Sequence, residues 1–226
     1  MRKNIRKTLI LLGFCLSLSL PVMAEKPANK GVIPVGTFTK EEIALWKERS
    51  FQGHTRYELI SDEDALILKA HCKATGSAFY RDMKVDLVKT PILRWSWKID
   101  NIHSGLDDIS KAGDDYAARI YVVYKAGIMP WSVKALDYVW ANKQPVGSSW
   151  PNAFTKQAIM IAQQSGVPED KNVWIEETRD IRKDFKKYFG IDVSLINGVA
   201  LMTDCDNSGG QATAYYRDIR FVSDTE

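Results

Sequence analysis

Hydrophobic positions in this chain recur mostly with a period of two. In Ile92 to Ile99, Leu93, Trp95, Trp97 and Ile99 share one face while Arg94, Ser96 and Lys98 share the other, which predicts a strand with one packed and one wet side. Asp114 to Tyr124 reads the same way, with Tyr116, Ala118, Ile120, Val122 and Tyr124 opposite Asp115, Ala117, Arg119, Tyr121 and Val123. Its β-branched and aromatic content, the flanking Gly113 and Gly127 and the lack of proline predict a central strand. Asp115 and Arg119 then point the same way. Further strands are predicted at Thr55 to Ile60, Leu66 to His71, Phe79 to Leu87, Ala135 to Trp140, Phe154 to Gln163, Val173 to Asp180, Ile196 to Thr203 and Ala212 to Val222. Two segments depart from the pattern. Ile181, Phe185, Tyr188 and Phe189 recur at helical spacing, with Asp180 as cap and Gly190 as stop. Thr39, Glu41 and Glu42 suit the first turn of a short helix through Trp46.

About ten short strands with one or two short helices, and no regular alternation between them, predict an all-β, antiparallel sandwich. At the N-terminus, Arg2, Lys3, Arg6 and Lys7 precede the apolar run Thr8 to Leu20 and the small-x-small pattern Val22-Met23-Ala24, the signature of a secretory signal in residues 1–24. The expected location is therefore periplasmic or secreted, after cleavage near Ala24. No later stretch approaches the roughly 20 apolar residues of a membrane-spanning helix. Residues 25–36, with two prolines and two glycines, read as a linker or strap, and 37–226 as one sandwich domain. Removing the signal leaves 27 basic against 28 acidic residues, a net charge of −1. With no basic stripe, nucleic acid is not an expected partner. Cys72 and Cys205 remain, open between a disulfide and two buried thiols.

Several phrases together resemble an exported bacterial family, domain of unknown function 3047. They are Trp95-Ser96-Trp97-Lys98, the run Asp114 to Val122, Tyr138-Val139-Trp140-Ala141, Trp174-x-Glu176-x-x-Arg179-Asp180 and Met202-Thr203-Asp204-x-Asp206-Asn207. The resemblance implies a jelly-roll-like sandwich, similar to domains that often bind carbohydrate, and it implies no established activity or catalytic residue. Cys205 departs from the threonine-like residue expected at its position.

For a sugar ligand, hydrogen-bonding side chains are needed together with aromatic faces. The ligand-binding candidates are Arg94, Asp115, Arg119, Tyr121, Trp140 and Arg179, with Trp150 and Trp174 as further aromatic faces. The competing reading is an ion-pair network of Asp115, Arg119, Glu177 and Arg179 that fixes strand register. Turnover of a glycan needs two facing carboxylates, for which Asp115 and Glu177 are the candidates; the expectation leans toward binding without catalysis. A third possibility is an envelope assembly or protein-interaction factor. Asp204-x-Asp206-x-Ser208-Gly209 spaces oxygen ligands as calcium loops do, with Asp107 or Asp108 as added ligands. Tyr215 at the twelfth position excludes an EF-hand. The loop Asp100 to Asp114, about 15 residues long, is expected to be a binding loop.

Overall fold

The computed structural model describes residues 31–62, 65–127, 129 and 132–225. The expected signal and part of the expected strap lie outside the described residues. Two sheets enclose one core. The first contains β1 (Val32–Gly36), β3 (Arg56–Asp62), β4 (Ala65–Lys73), β6 (Ile92–Ile99), β11 (Ile175–Asp180) and β13 (Gln211–Val222). Its order is β11-β6-β13-β4-β3, with β1 also paired to β13. In the second sheet are β2 (Lys47–Gln52), β5 (Gly76–Asp86), β7 (Arg119–Lys125), β8 (Val133–Ala141), β9 (Ser149–Pro151), β10 (Ala158–Ser165) and β12 (Leu195–Met202). They run β2-β5-β12-β7-β8-β10-β9. Pairing is antiparallel except between β8 and β10, which are parallel neighbours.

Alternation puts Leu93, Trp95, Trp97 and Ile99 of β6 fully in the core, against Ile120 and Val122 of β7 and Tyr138 and Trp140 of β8. Trp95 packs on Trp97 and on Tyr138 at ring-centroid distances of 5.5 and 5.4 Å. Helix α1 (Lys40–Ile43) is shorter than expected; the Thr39 hydroxyl accepts from the Glu42 amide at its start. Helix α2 (Ile181–Phe189) matches expectation, capped by Asp180 and ended by Gly190 at φ 71°. Its Phe185 joins the core, and its Asp184 accepts from Arg179 of β11 and from the Tyr138 hydroxyl of β8. In this way α2 ties the two sheets together. A second tie is the buried disulfide between Cys72 of β4 and Cys205, just after β12, with a Cα–Cα distance of 6.0 Å.

The central strand differs from the expectation at its start: it begins at Arg119, and residues 114–118 are irregular. The reason is a competing set of hydrogen bonds. The Tyr116 amide donates to the Asp204 carboxylate, the Asp204 amide donates to the Tyr116 carbonyl, and the Asp115 carbonyl accepts from Asn142 Nδ2. Backbone groups used in this way are not free for a ladder. The described part of the expected strap is itself the strand β1, paired to β13 despite Pro34, as an edge position allows.

Candidate functional site

The outer face of the second sheet is divided in two. Over β8 and β10 it is covered by a small apolar cluster of Tyr116, Val139, Ala141, Trp150, Met160 and Ala162. The long loop before β7 holds this cover in place through Asp108. Its carboxylate accepts from the amides of Asn142, Lys143 and Gln144, and its carbonyl accepts from the Tyr116 hydroxyl and Trp150 Nε1. That loop therefore acts as a structural cover, contributing Asp114 to the pocket at its edge.

Over β5, β12 and β7 the face is open and forms a trough of about 660 Å3. Strand register explains its shape. Three rungs cross it: Ala78, Met202 and Arg119; Tyr80, Ala200 and Tyr121; Asp82, Gly198 and Val123. Small side chains on β12 make the floor, and Tyr80 and Tyr121 stand on either side of Ala200. They sit two strand spacings apart, roughly 10 Å. Gly198 is fixed by close packing, because a Cβ there would lie 2.9 Å from the Arg81 carbonyl oxygen. Along β7 the trough follows the five residues from Tyr121 to Lys125, roughly 13 Å. A second pocket of about 350 Å3 continues it past Phe51, Tyr121 and Met202, toward Asp114, Asn152, Phe154 and Asp206. Phe51 and Phe154 are the exposed aromatics on this path.

Where trough and end pocket meet, Arg119 is 2% exposed and ringed by acids. Its guanidinium lies 3.0 Å from Asp204, 3.4 Å from Asp114 and 3.8 Å from Asp137. It also donates to the Tyr121 hydroxyl at 2.8 Å and to the Asp114 carbonyl, and stacks over the Tyr116 ring at 4.3 Å. One guanidinium cannot neutralise all of these carboxylates, and burial disfavours the charged forms. Burial accordingly pushes Asp137 up to about 8 despite the pull of Arg119. Asp206 is raised by burial and by neighbouring Asp115. Asp115 is lowered: burial opposes ionisation, but hydrogen bonds from Ser208 and Asn207 outweigh it.

The residues expected to form a site are dispersed. Asp115 is not Arg119's partner; it clamps the Asn207–Ser208 turn and lines neither trough nor end pocket. Trp140 is 2% exposed, its ring beside Trp97 and its Nε1 donating to the Gly166 carbonyl, so it offers no face to a sugar. Trp150 is buried in the cover, and Trp174 has the Lys98 ammonium and the Arg217 guanidinium over its ring, at 4.7 and 4.2 Å from the centroid. Arg94 and Arg179 belong to the other sheet, where Arg179 forks onto Asp184. Glu177, also on β11, accepts from Gln164 and is raised by burial. Asp115 and Glu177 thus serve separate networks and share no cleft, as a carboxylate pair for turnover must. Of the candidates, Tyr121 lines both the trough and the end pocket, and Arg119 lines the end pocket. In the expected calcium loop, the Ser208 hydroxyl accepts from the Gly210 amide. The carboxylates that do converge are Asp115, Asp204 and Asp206, with oxygens within 4.8 Å of one another. Asp115 is already filled by N–H donors and Asp204 faces the Arg119 cation, so this set fits a divalent ion poorly; Asp108 is likewise occupied by amides.

Tyr80, Ala200 and Gly198 were not among the residues singled out from sequence. A glycine inside an otherwise apolar strand is the signal that was available.

These features define a two-sheet β-sandwich with a tyrosine-walled trough on one outer face. A family model described as "Protein of unknown function (DUF3047)" matches residues 44–220, and the chain belongs to that family. No curated protein matches it. Among solved structures it is similar to a family 30 carbohydrate-binding module of a cellulosomal cellulase of Clostridium thermocellum, at 10% identity and TM-score 0.48, covering 80% of this chain and 93% of that one. It is also similar to a family 11 carbohydrate-binding module of the same organism, at 11% identity and TM-score 0.46, covering 87% and 96%. A third likeness is to an endoglucanase of Rhodothermus marinus, at 10% identity and TM-score 0.46, covering 78% and 97%. At such scores the likenesses carry no argument about ligand or activity.

Proposed function

We propose that this protein binds a carbohydrate chain along the trough of its second sheet, without turning it over. The observation that carries this reading is the rung Tyr80, Ala200, Tyr121: two half-buried phenol rings flank a floor too small to obstruct a ligand. Tyrosine offers an apolar face for the C–H side of a sugar and a hydroxyl for its polar edge. Asn197 and Asp82 add hydrogen-bonding groups to the same trough. The N-terminal segment supports an exported protein, periplasmic or secreted, and the Cys72–Cys205 disulfide is consistent with an oxidising compartment.

The test is a thermal-shift screen of the protein against envelope and extracellular glycans, since a ligand selective for the native state raises its apparent stability. A saturable shift is expected, lost when Tyr80 and Tyr121 are both replaced by Ala and the variant remains folded. Absence of a shift with every glycan, or its survival in the double variant, rejects the reading.

A hydrolytic reading has one specific observation in its favour: Asp114, Asp204 and Asp206 all line the end pocket. It predicts release of reducing ends from a bound glycan and loss of that release in Asp206→Asn.

A further inference from the structure

We propose that the glycan taken by this trough is acidic, its carboxylate or sulfate groups engaging Arg49 and Lys125. The proposal rests on the carbohydrate reading above and adds the ligand's charge. It follows from which charged groups of the trough already have partners. Arg81 is committed to Glu42 at 2.7 Å and to the Val35 carbonyl. Asp82, the acid of the trough, pairs with Lys47 at 3.3 Å. Arg49 and Lys125 remain, both exposed and both without a carboxylate within ion-pair distance among the described residues. Two positive charges are thus uncompensated along the path a sugar chain would follow. The acids of the end pocket lie outside the trough that Arg49 and Lys125 line: Asp114 and Asp204 are turned onto Arg119, and Asp206 belongs to the end pocket alone.

Placement supports the same reading. The Arg49 guanidinium sits over the Phe51 ring at 5.4 Å from its centroid, which holds a charged donor beside an apolar platform. Lys111 sits over Phe154, at the rim of the end pocket, in the same relation and at the same 5.4 Å. Each exposed aromatic of the path therefore carries a cation on its face. Lys125 marks the far end, its backbone fixed by a 2.8 Å hydrogen bond from its amide to Asn197 Oδ1. A neutral glycan would leave Arg49 and Lys125 without any counter-charge. A chain bearing acid groups neutralises both while its rings lie between the tyrosines.

The experiment compares binding of a panel of acidic glycans with binding of the same polymers after carboxyl reduction, and includes a sulfated polysaccharide. The expected result is that an acidic polymer binds about tenfold more tightly than its neutral counterpart, a margin in keeping with two exposed charge pairs. That margin should shrink as salt rises, since screening shortens the reach of exposed charges. Replacing Arg49 and Lys125 by Gln, in a variant that remains folded, should bring the affinities for the acidic and the reduced polymer together; a margin that survives this change overturns the assignment to these two residues. Tighter binding of the sulfated chain, lost in the same variant, supports the proposal with sulfate as the acid. Equal affinity for acidic and reduced polymers overturns the acidic-ligand inference and leaves the carbohydrate reading standing. Binding of none of the polymers, acidic or neutral, rejects the carbohydrate reading itself.

Discussion

Arg119 is the residue on which the edge of the trough depends. It is nearly inaccessible and faces Asp204 at 3.0 Å, so replacing it by Met strands acids that have lost their counter-charge. Removing one partner of such a buried pair typically costs about 3–5 kcal/mol. Denaturant unfolding of Arg119→Met is expected to show a loss of that order, partly restored when Asp204→Asn is added; a loss under about 1 kcal/mol would place the counter-charge elsewhere. This also makes Arg119 a poor probe of ligand binding, for which the tyrosines are better suited. Asp137 behaves in the opposite sense. Burial raises its carboxyl to about 8, whereas an unfolded chain releases that proton near pH 4. Its contribution to stability is thus full below about pH 4 and is lost as pH rises toward 8. Asp137→Asn is expected to flatten stability between those limits and, at pH 7, to exceed the native chain by ~1 kcal/mol or more. Chemical unfolding at a series of pH values checks both parts.

At the scale of elements, β12 is the strand whose composition shapes the site. Gly198→Val fills the trough and forces a Cβ against the Arg81 carbonyl, 2.9 Å away. A cost of about 1–3 kcal/mol is expected from overpacking of this kind, together with loss of glycan binding; unchanged affinity would move the ligand off this floor. Strands with clean alternation, such as β6, and the capped helix α2 were legible to the residue, because each is decided by local spacing and caps. The strand β2 was not: all six of its side chains are exposed, so burial writes no pattern into it. Nor was the start of β7, where Asp114, Asp115 and Tyr116 look like strand and are instead claimed by the turn at Asp204 to Ser208. The site was legible only in part for a related reason. Arg119 and Tyr121 could be picked out as polar groups on a hydrophobic strand, but Tyr80 becomes a wall only once β5 is known to lie one strand beyond β12. Pairing order of that kind is tertiary information.

For the molecule as a whole, the Arg179–Asp184–Tyr138 bridge and the Cys72–Cys205 disulfide are among the links that hold the sheets against each other, beside the shared core and the Tyr216 hydroxyl of β13, which donates to the Met202 carbonyl of β12. The disulfide closes a loop of 133 residues, and loops of this size carry a large entropic penalty in the unfolded state. Replacing both cysteines by Ala is expected to cost about 2–5 kcal/mol, seen as a lower midpoint in denaturant, while binding at the trough is retained. A small effect would mean that the core and the non-covalent links suffice to hold the sandwich closed.

The position of β13 has a consequence for the order of assembly. This strand of 12 residues lies between β6 and β4 and also receives β1, yet it is translated after all of them. Until Val222 has been made, Val32 to Gly36 has no partner strand and β4 and β6 lack the neighbour that joins them. The first sheet is therefore completed only after Val222 has been made, and folding must bring together segments nearly 190 residues apart. Contacts so distant in sequence slow the search. A chain of this design cannot close its first sheet by local pairing alone: β1, β4 and β6 are joined only through β13.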